Sequence, residues 1–272
     1  MEKKTKKKGK VLKIIIIILA VNMFLSLVAV GYFGLWGPFK FLNDMRMSNI
    51  PGNAKEYHLE NVNTLENSPL KGKKILFLGS SVTYGSASMQ VSMADYLGAI
   101  DGCEITKEAV SGTTLADLNG TSYLSRLKNV DKTKQFDAVV VQLSTKDASK
   151  KIDLGTISKS KDASQFDTQT VIGAMEAIIC YCQETWNCPV IFYTGTKYDS
   201  SEYEAMVKAL LELQDKWNIG VIDLWNDTEM NAISDKDYKL YMNDKIHPTQ
   251  AGYLLWWTPK FQEYLYEYLD EK

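Results

Sequence analysis

Histidine is scarce in this chain: only His58 and His247 occur in 272 residues. Cysteine is scarce too, with four residues at 103, 180, 182 and 188, none of them close in sequence to either histidine. A tetrahedral zinc site built from Cys and His is therefore not expected. A disulfide is open to the chain, for example Cys182 with Cys188, but spacing does not fix connectivity, and buried free thiols are an equal reading. Basic residues are missing where a nucleic-acid binder would need them. Of 31 basic and 33 acidic residues, seven lysines and Glu2 fall within residues 1–13, leaving 24 basic against 32 acidic for the remainder. A domain of that sign lacks the clustered basic face that nucleic acid requires, and no nucleic-acid partner is expected. Charge of either sign is absent from residues 14–36.

That last absence has a length that matters. The run "IIIIILAVNMFLSLVAVGYFGLW" is long enough, as a helix, to cross the ~30 Å hydrocarbon layer of a bilayer. The lysines before it favour a cytoplasmic N-terminus, and Tyr32 and Trp36 at its far end suit the opposite interface. A cleaved signal peptide is the competing reading, but its apolar region is shorter, roughly 7–15 residues, and "LVAVG" is a poor cleavage site. The expected organisation is a basic cytoplasmic segment (1–13), a transmembrane signal anchor (14–36), an extracytoplasmic spacer (37–70) and a folded domain (71–272).

Within the domain, short apolar runs alternate with helical patterns. "KKILFLG", "EITKEAV", "FDAVVVQLS", "PVIFYTGT" and "IGVIDLW" read as strands, the first buried and the third with the near-continuous apolar character of a central parallel strand. Helical patterns fall near Gln90–Ile100, Leu115–Lys128 and Thr168–Trp186, and around Met206, Leu210, Leu213 and Trp217. A last helix is expected from Pro248 to about Leu269, with proline at its first position. This order predicts an α/β fold: a three-layer α/β/α, flavodoxin-like sandwich around a five-stranded parallel sheet, preceded by the transmembrane helix. Ligand chemistry in such sheets gathers beyond the carboxyl ends of the strands. The aromatic-rich "YLLWWTPKFQEYLYEYL" is read mainly as helix packing. The polar segment 146–167 is a long loop with access to the cleft.

Two short motifs fall where chemistry is expected. "GSSVTYG", residues 79–85, leaves the first strand and presents Ser81 at a turn. A serine attacks a carbonyl only if a base removes its proton, and the folded domain offers one imidazole, His247. In "NDKIHPTQAGY" Asp244 stands three residues before it, close enough to orient the ring through Nδ1–H. The bland readings are a helix cap for the serine and a helix start for Asp-x-x-His-Pro.

These motifs resemble those of the SGNH, or GDSL-type, hydrolases. The family's Gly-Asp-Ser-x-Thr-x-Gly is matched by "GSSVTYG", with Ser80 in place of the aspartate and Ser81 in the nucleophile position. Gly112 matches the glycine of the second motif, and Asp244 and His247 match the last, Asp-x-x-His. In the third motif the family carries Gly-x-Asn-Asp, whereas this chain reads "LSTKD", so Lys146 stands where an asparagine would donate to an oxyanion. The resemblance implies catalysis by Ser81, His247 and Asp244, and an oxyanion hole from Ser81, Gly112 and position 146. It implies no metal or organic cofactor.

The expected function is an extracytoplasmic serine esterase acting on an ester of the cell envelope, an O-acylated carbohydrate or a lipid. The alternatives are acyl transfer to an envelope polymer through the same nucleophile, and a catalytically weak glycan- or partner-binding domain. Tyr84 and Thr194 are expected to contact substrate.

Overall fold

The computed structural model of the chain describes residues 2–33 and 37–270. Trp36, expected at the membrane interface, lies outside the described residues, as do the side chains of residues 1–9. The chain forms two compact units, Met1–Ile50 and Pro51–Lys272.

In the first unit, α1 (Glu2–Tyr32) is one continuous helix. Its stretch Lys10–Tyr32 is long and apolar enough to cross a membrane. A short helix α2 (Phe41–Ser48) follows.

The second unit begins at Pro51, twenty residues before the expected boundary. Residues 51–61 form three single 3₁₀ turns, Pro51–Asn53, Lys55–Tyr57 and Leu59–Asn61. They are fixed to the domain by specific bonds. The Tyr96 hydroxyl donates to the Tyr57 carbonyl at 2.5 Å, and the Leu65 amide donates to the Ile100 carbonyl at 2.7 Å. Residues 51–70, expected as part of the spacer, thus belong to the second unit.

The sheet contains β1 (Lys74–Gly79), β2 (Glu104–Ala109), β3 (Ala138–Gln142), β4 (Val190–Tyr193) and β5 (Gly220–Ile222). All pairings are parallel, in the order β2-β1-β3-β4-β5, which is the flavodoxin-like order. β1, β3, β4 and β5 read as near-continuous apolar runs because both faces are covered, whereas the edge strand β2 is charged and only partly buried. Leu76, Leu78, Val139, Val141 and Phe192 face one core, shared with α5 (Tyr123–Leu127), α7 (Val171–Trp186) and α8 (Ser201–Trp217). Ile75, Phe77, Val140, Ile191 and Tyr193 face the other, shared with α4 (Met93–Asp101) and the C-terminal helix. Each fully buried Leu, Ile or Phe contributes roughly 1.5–3 kcal/mol. The four cysteines are buried free thiols.

Two helical expectations need correction. The pattern at Leu115–Lys128 yields only α5, because residues 113–118 serve as an irregular loop held by side chains from other elements. The final helix does not start at Pro248, which forms an isolated antiparallel bridge with Met242. It starts at α10 (Gln250–Gly252), capped by Thr249, whose hydroxyl accepts the Gly252 amide at 3.2 Å. A π-turn, Tyr253–Trp257, then leads into α11 (Thr258–Asp270). Pro259 lacks an N–H and its ring would press on the carbonyl four residues back, so the wider turn relieves a clash an α-turn would impose. Tyr253, Trp257 and Phe261 are wholly buried, in keeping with a packing role for this aromatic segment.

The long segment after β3 opens with α6 (Thr145–Ser149) and then lies against α7 and α8. The buried Glu176 carboxylate accepts from the Lys216 ammonium, the Trp217 indole N–H and the Ser158 amide. Lys216 also donates to the carbonyls of Ser158 and Ser160 at 2.6 and 2.8 Å. This network pins the segment to the two helices.

Candidate active site

β1 ends at Gly79, where space is the constraint. A Cβ there would collide with the Thr83 side chain and with Gln142. Ser80 follows as an N-cap residue, and Ser81 opens the single-turn helix α3 (Ser81–Tyr84). Gly85 closes it with φ of 81°, a left-handed conformation that glycine adopts without penalty.

Three elements of the fold hold this turn. The Gln142 Oε1 atom, at the end of β3, accepts the amides of Ser80 and Thr83 at 2.9 and 3.1 Å and the Thr83 hydroxyl at 2.9 Å. With its proton given to Gln142, Thr83 Oγ1 accepts from the Tyr193 hydroxyl of β4 at 2.6 Å. From the π-turn, the Tyr253 hydroxyl donates to the Val82 carbonyl at 2.6 Å. Burial pushes the Tyr193 and Tyr253 phenols well above their ordinary range, so both act as fixed neutral donors.

His247 reaches Ser81 from a tight turn between α9 (Asp235–Tyr241) and α10. The Met242–Pro248 bridge and the Asn243 amide on the His247 carbonyl, at 3.0 Å, close that turn. Asp244 Oδ1 accepts the amides of Ile246 and His247 at 2.8 and 2.9 Å. Its two oxygens lie 3.0 and 2.9 Å from His247 Nδ1. His247 Nε2 lies 2.8 Å from Ser81 Oγ. Partial burial pushes the Asp244 carboxyl up, but the bond and charge of the imidazole and the two amides outweigh it and hold the group at about 2. Asp244 is a carboxylate at any physiological pH, so Nδ1 carries the proton and Nε2 is left to accept one from Ser81.

The third part of the site follows β2. Gly112 has φ of 81°, in a loop whose Ser111 hydroxyl meets that of Ser86, just past the nucleophile turn. The buried Asp147 carboxylate accepts the Leu115 and Ala116 amides at 2.8 and 3.0 Å. Burial raises its pKa, and hydrogen bonds from Ser144, Ala116 and Leu115 offset only part of that rise. Arg126 ties the loop to the strand, donating to the Gly79 carbonyl at 2.7 Å and to Thr113 Oγ1 at 3.2 Å. Among the described residues, the Ser81 and Gly112 N–H groups have no acceptor. The Lys146 ammonium has no hydrogen-bond or ion-pair partner among these residues, while its backbone amide is capped by Ser144 Oγ at 3.2 Å.

The two expected substrate contacts fare differently. Tyr84 is half-buried at the end of α3. Thr194 is fully buried, with its hydroxyl committed to the Trp225 amide at 2.9 Å, so it joins the ends of β4 and β5 instead of entering the cleft. Thr196 and Tyr198, two and four residues on, line a pocket shared with Val82 and Ile246 in its stead. Gln142, Asp147 and Arg126 were not foreseen as site residues. Gln142 is the polar residue that ends the run "AVVVQ", and Arg126 is the folded unit's only arginine.

The sequence between residues 77 and 255, well over half of the chain, matches the model of the GDSL-like lipase/acylhydrolase family. The chain belongs to this family. Solved structures with the same fold include a protein from Lactobacillus plantarum, at 21% identity and TM-score 0.57, with 74% of this chain and 98% of that one covered. A candidate lipolytic protein of the G-D-S-L family from Desulfitobacterium hafniense aligns at 17% identity and TM-score 0.55, covering 71% of this chain and 100% of that one. A candidate GDSL-like lipase from Bacteroides ovatus aligns at 14% identity and TM-score 0.54, covering 74% and 100%. No curated protein sequence matches. The GDSL chain is accordingly an ester-hydrolysing enzyme.

Proposed function

We propose that this GDSL enzyme is a serine esterase in which Ser81 is the nucleophile, His247 the general base and then acid, and Asp244 the residue that orients the ring. The observation that carries this reading is the 2.8 Å approach of His247 Nε2 to Ser81 Oγ across 166 positions of sequence. Ser81 Oγ bonds to the acyl carbon as its proton passes to Nε2. The carbonyl oxygen becomes an oxyanion, for which the Ser81 and Gly112 amides are the open donors. His247 then gives the proton to the departing alcohol oxygen as the ester C–O bond breaks. Water, deprotonated by the same imidazole, attacks the acyl-serine, and collapse of that second intermediate returns Ser81 and releases the acid.

The apolar helix over Lys10–Tyr32 supports a membrane anchor with the catalytic unit outside the cytoplasm. In that location, O-acylated envelope carbohydrate or lipid is the substrate within reach. The test is hydrolysis of an aryl acetate by the detergent-solubilised full chain, with Ser81→Ala beside it and covalent capture of Ser81 by a fluorophosphonate. Loss of turnover and of labelling in the variant is expected. Equal turnover by the variant would remove Ser81 as nucleophile. Protease accessibility of the domain in intact cells tests the location.

A further inference from the structure

A narrow pocket is lined in part by the sequence neighbours of Ser81 and His247, so one wall of it is built from the catalytic loops themselves. Val82 follows Ser81, Ile246 precedes His247, and Thr145 opens the short helix that carries Lys146. Thr196 and Tyr198, from the loop after β4, form the far wall with Lys245. The pocket has room for about one group the size of a water molecule, which is also the size of a methyl.

Its floor cannot easily withdraw. Gln142, Tyr193 and Tyr203 line it and all are buried. The Tyr203 hydroxyl donates to the Leu143 carbonyl at 3.1 Å and accepts the Gly195 amide at 2.9 Å. Tyr193 is bound to Thr83 and Gln142 to the nucleophile turn, as described above. Tyr198 is held as firmly. Its ring centroid lies 5.3 Å from those of Tyr203 and of Trp225, itself buried, and the Lys245 ammonium sits 5.5 Å over the Tyr198 ring.

The tetrahedral intermediate formed by attack of Ser81 places three groups around the former carbonyl carbon besides Ser81 Oγ. The oxyanion takes the open amides, the leaving oxygen faces His247 Nε2, and the acyl chain needs a third direction. We infer that this pocket receives the acyl chain and that Tyr198 restricts it to the acetyl group, so that the natural substrates are acetate esters. The inference rests on Ser81 being the nucleophile. A butyryl chain brings two further methylenes, which must push Tyr198 off Tyr203 and Trp225 or distort the hydrogen-bonded floor, and packed interiors resist such overfilling.

The experiment compares kcat/KM for p-nitrophenyl acetate, butyrate and octanoate, with the detergent-solubilised full chain and Ser81→Ala as background. The expected acetate-to-butyrate ratio is roughly tenfold or more, the usual discrimination per misfitting methylene or two. Tyr198→Ala is expected to lower that ratio at least about fivefold, and Thr196→Ala, which widens the wall without stranding a bonded group, to lower it by a smaller factor. Ser81-dependent turnover with a flat chain-length profile overturns the acetyl assignment alone. So does a wild-type preference for acetate that neither variant relaxes. Absence of Ser81-dependent turnover on all three esters overturns the esterase reading and the pocket with it. If Tyr198→Ala fails to fold, the Thr196→Ala ratio decides.

Discussion

Gln142 and Ser80 hold each other in both directions: the Ser80 amide donates to Gln142 Oε1 at 2.9 Å, and Gln142 Nε2 donates to the Ser80 hydroxyl at 3.2 Å. Ser80 is the position at which the family motif has aspartate. In this chain a side chain from β3 supplies the acceptor that fixes the nucleophile turn, so the exchange of aspartate for serine leaves the turn supported. Gln142→Leu would orphan the buried Ser80 and Thr83 amides, at about 1–3 kcal/mol each. The expected outcome is a clear loss in denaturant midpoint together with a fall in kcat. Gln142→Glu keeps an acceptor for those amides and should lose much less of both. Equal stability of Gln142→Leu and wild type in urea titration would show that the turn stands without this contact.

Asp244 carries the pH argument. Its folded pKa, about 2, lies below the ordinary carboxylate value near 3.9, so its contribution to stability is complete above the ordinary value and is lost as pH falls through about 2. A fall in kcat/KM at milder acidity therefore belongs to another group. Asp244→Asn removes the carboxylate charge facing Nδ1 and is expected to lower the whole profile by roughly two to four orders of magnitude. A pH–rate profile from about pH 4 to 9 with an aryl acetate checks this. An unchanged plateau would mean that the ring is oriented by its backbone alone.

The readable parts of this molecule are those governed by periodicity and by covalent spacing. Four apolar runs became buried parallel strands because strands covered on both faces need little else, and the more polar run "EITKEAV" became the edge strand β2. Asp244 and His247, three residues apart, meet through a local turn, and Ser81 meets them because β1 delivers it to the same edge of the sheet. What stayed hidden depends on directions that spacing does not encode. Thr194 and Thr196 leave the same strand, yet one hydroxyl turns back to Trp225 and the other residue lines the pocket. Residues 51–61 show no period because they attach by 3₁₀ turns and single polar bonds. Pro248 looks like a helix start, but its bridge to Met242 takes precedence and moves the start to Gln250.

Lys146 tests how many donors the oxyanion needs. The Ser81 and Gly112 amides are both open, and Lys146 sits on α6 with its ammonium unpartnered among the described residues. Two backbone donors are expected to suffice, so Lys146→Ala should keep kcat within about tenfold of wild type. Loss of one working oxyanion donor costs roughly 10²–10³ in kcat. A decrease of that size, measured under saturating aryl acetate, would show instead that the ammonium has been recruited to the oxyanion.

Glu176 and Lys216 form a buried pair, with the Glu176 side chain only 1% exposed. Removing Glu176 leaves the Lys216 ammonium, 18% exposed, with only the Ser158 and Ser160 carbonyls, and breaking a buried pair in this way costs up to about 3–5 kcal/mol. Glu176→Ala is expected to destabilise the domain by an amount of that order. It should also loosen the segment around residues 158–160, where the pair holds the Ser158 amide and the Ser158 and Ser160 carbonyls. Limited proteolysis should then cut within that segment before the domain unfolds globally. Cleavage elsewhere first, or an unshifted melting curve, would contradict the assigned role.

Asn53 joins the two catalytic loops from outside the sheet. Its side-chain amide donates to the Ala87 carbonyl at 2.8 Å, two residues after Gly85 closes the nucleophile turn. Its Oδ1 accepts the amide of Gln250, three residues past His247, at 2.9 Å. The residue is 1% exposed, so truncation leaves a buried donor and a buried acceptor without partners, at about 1–3 kcal/mol each. Asn53→Ala should therefore lower the melting temperature and, because both loops lose a common anchor, lower kcat more than it changes KM. The same contact sets the limit for trimming the chain. A fragment starting at residue 51 keeps Asn53 and is expected to unfold cooperatively, whereas one starting at residue 71 lacks it and should give a broadened transition with weakened turnover. Matching melting curves for the two fragments would show that residues 51–70 are ornament to the fold and not part of it.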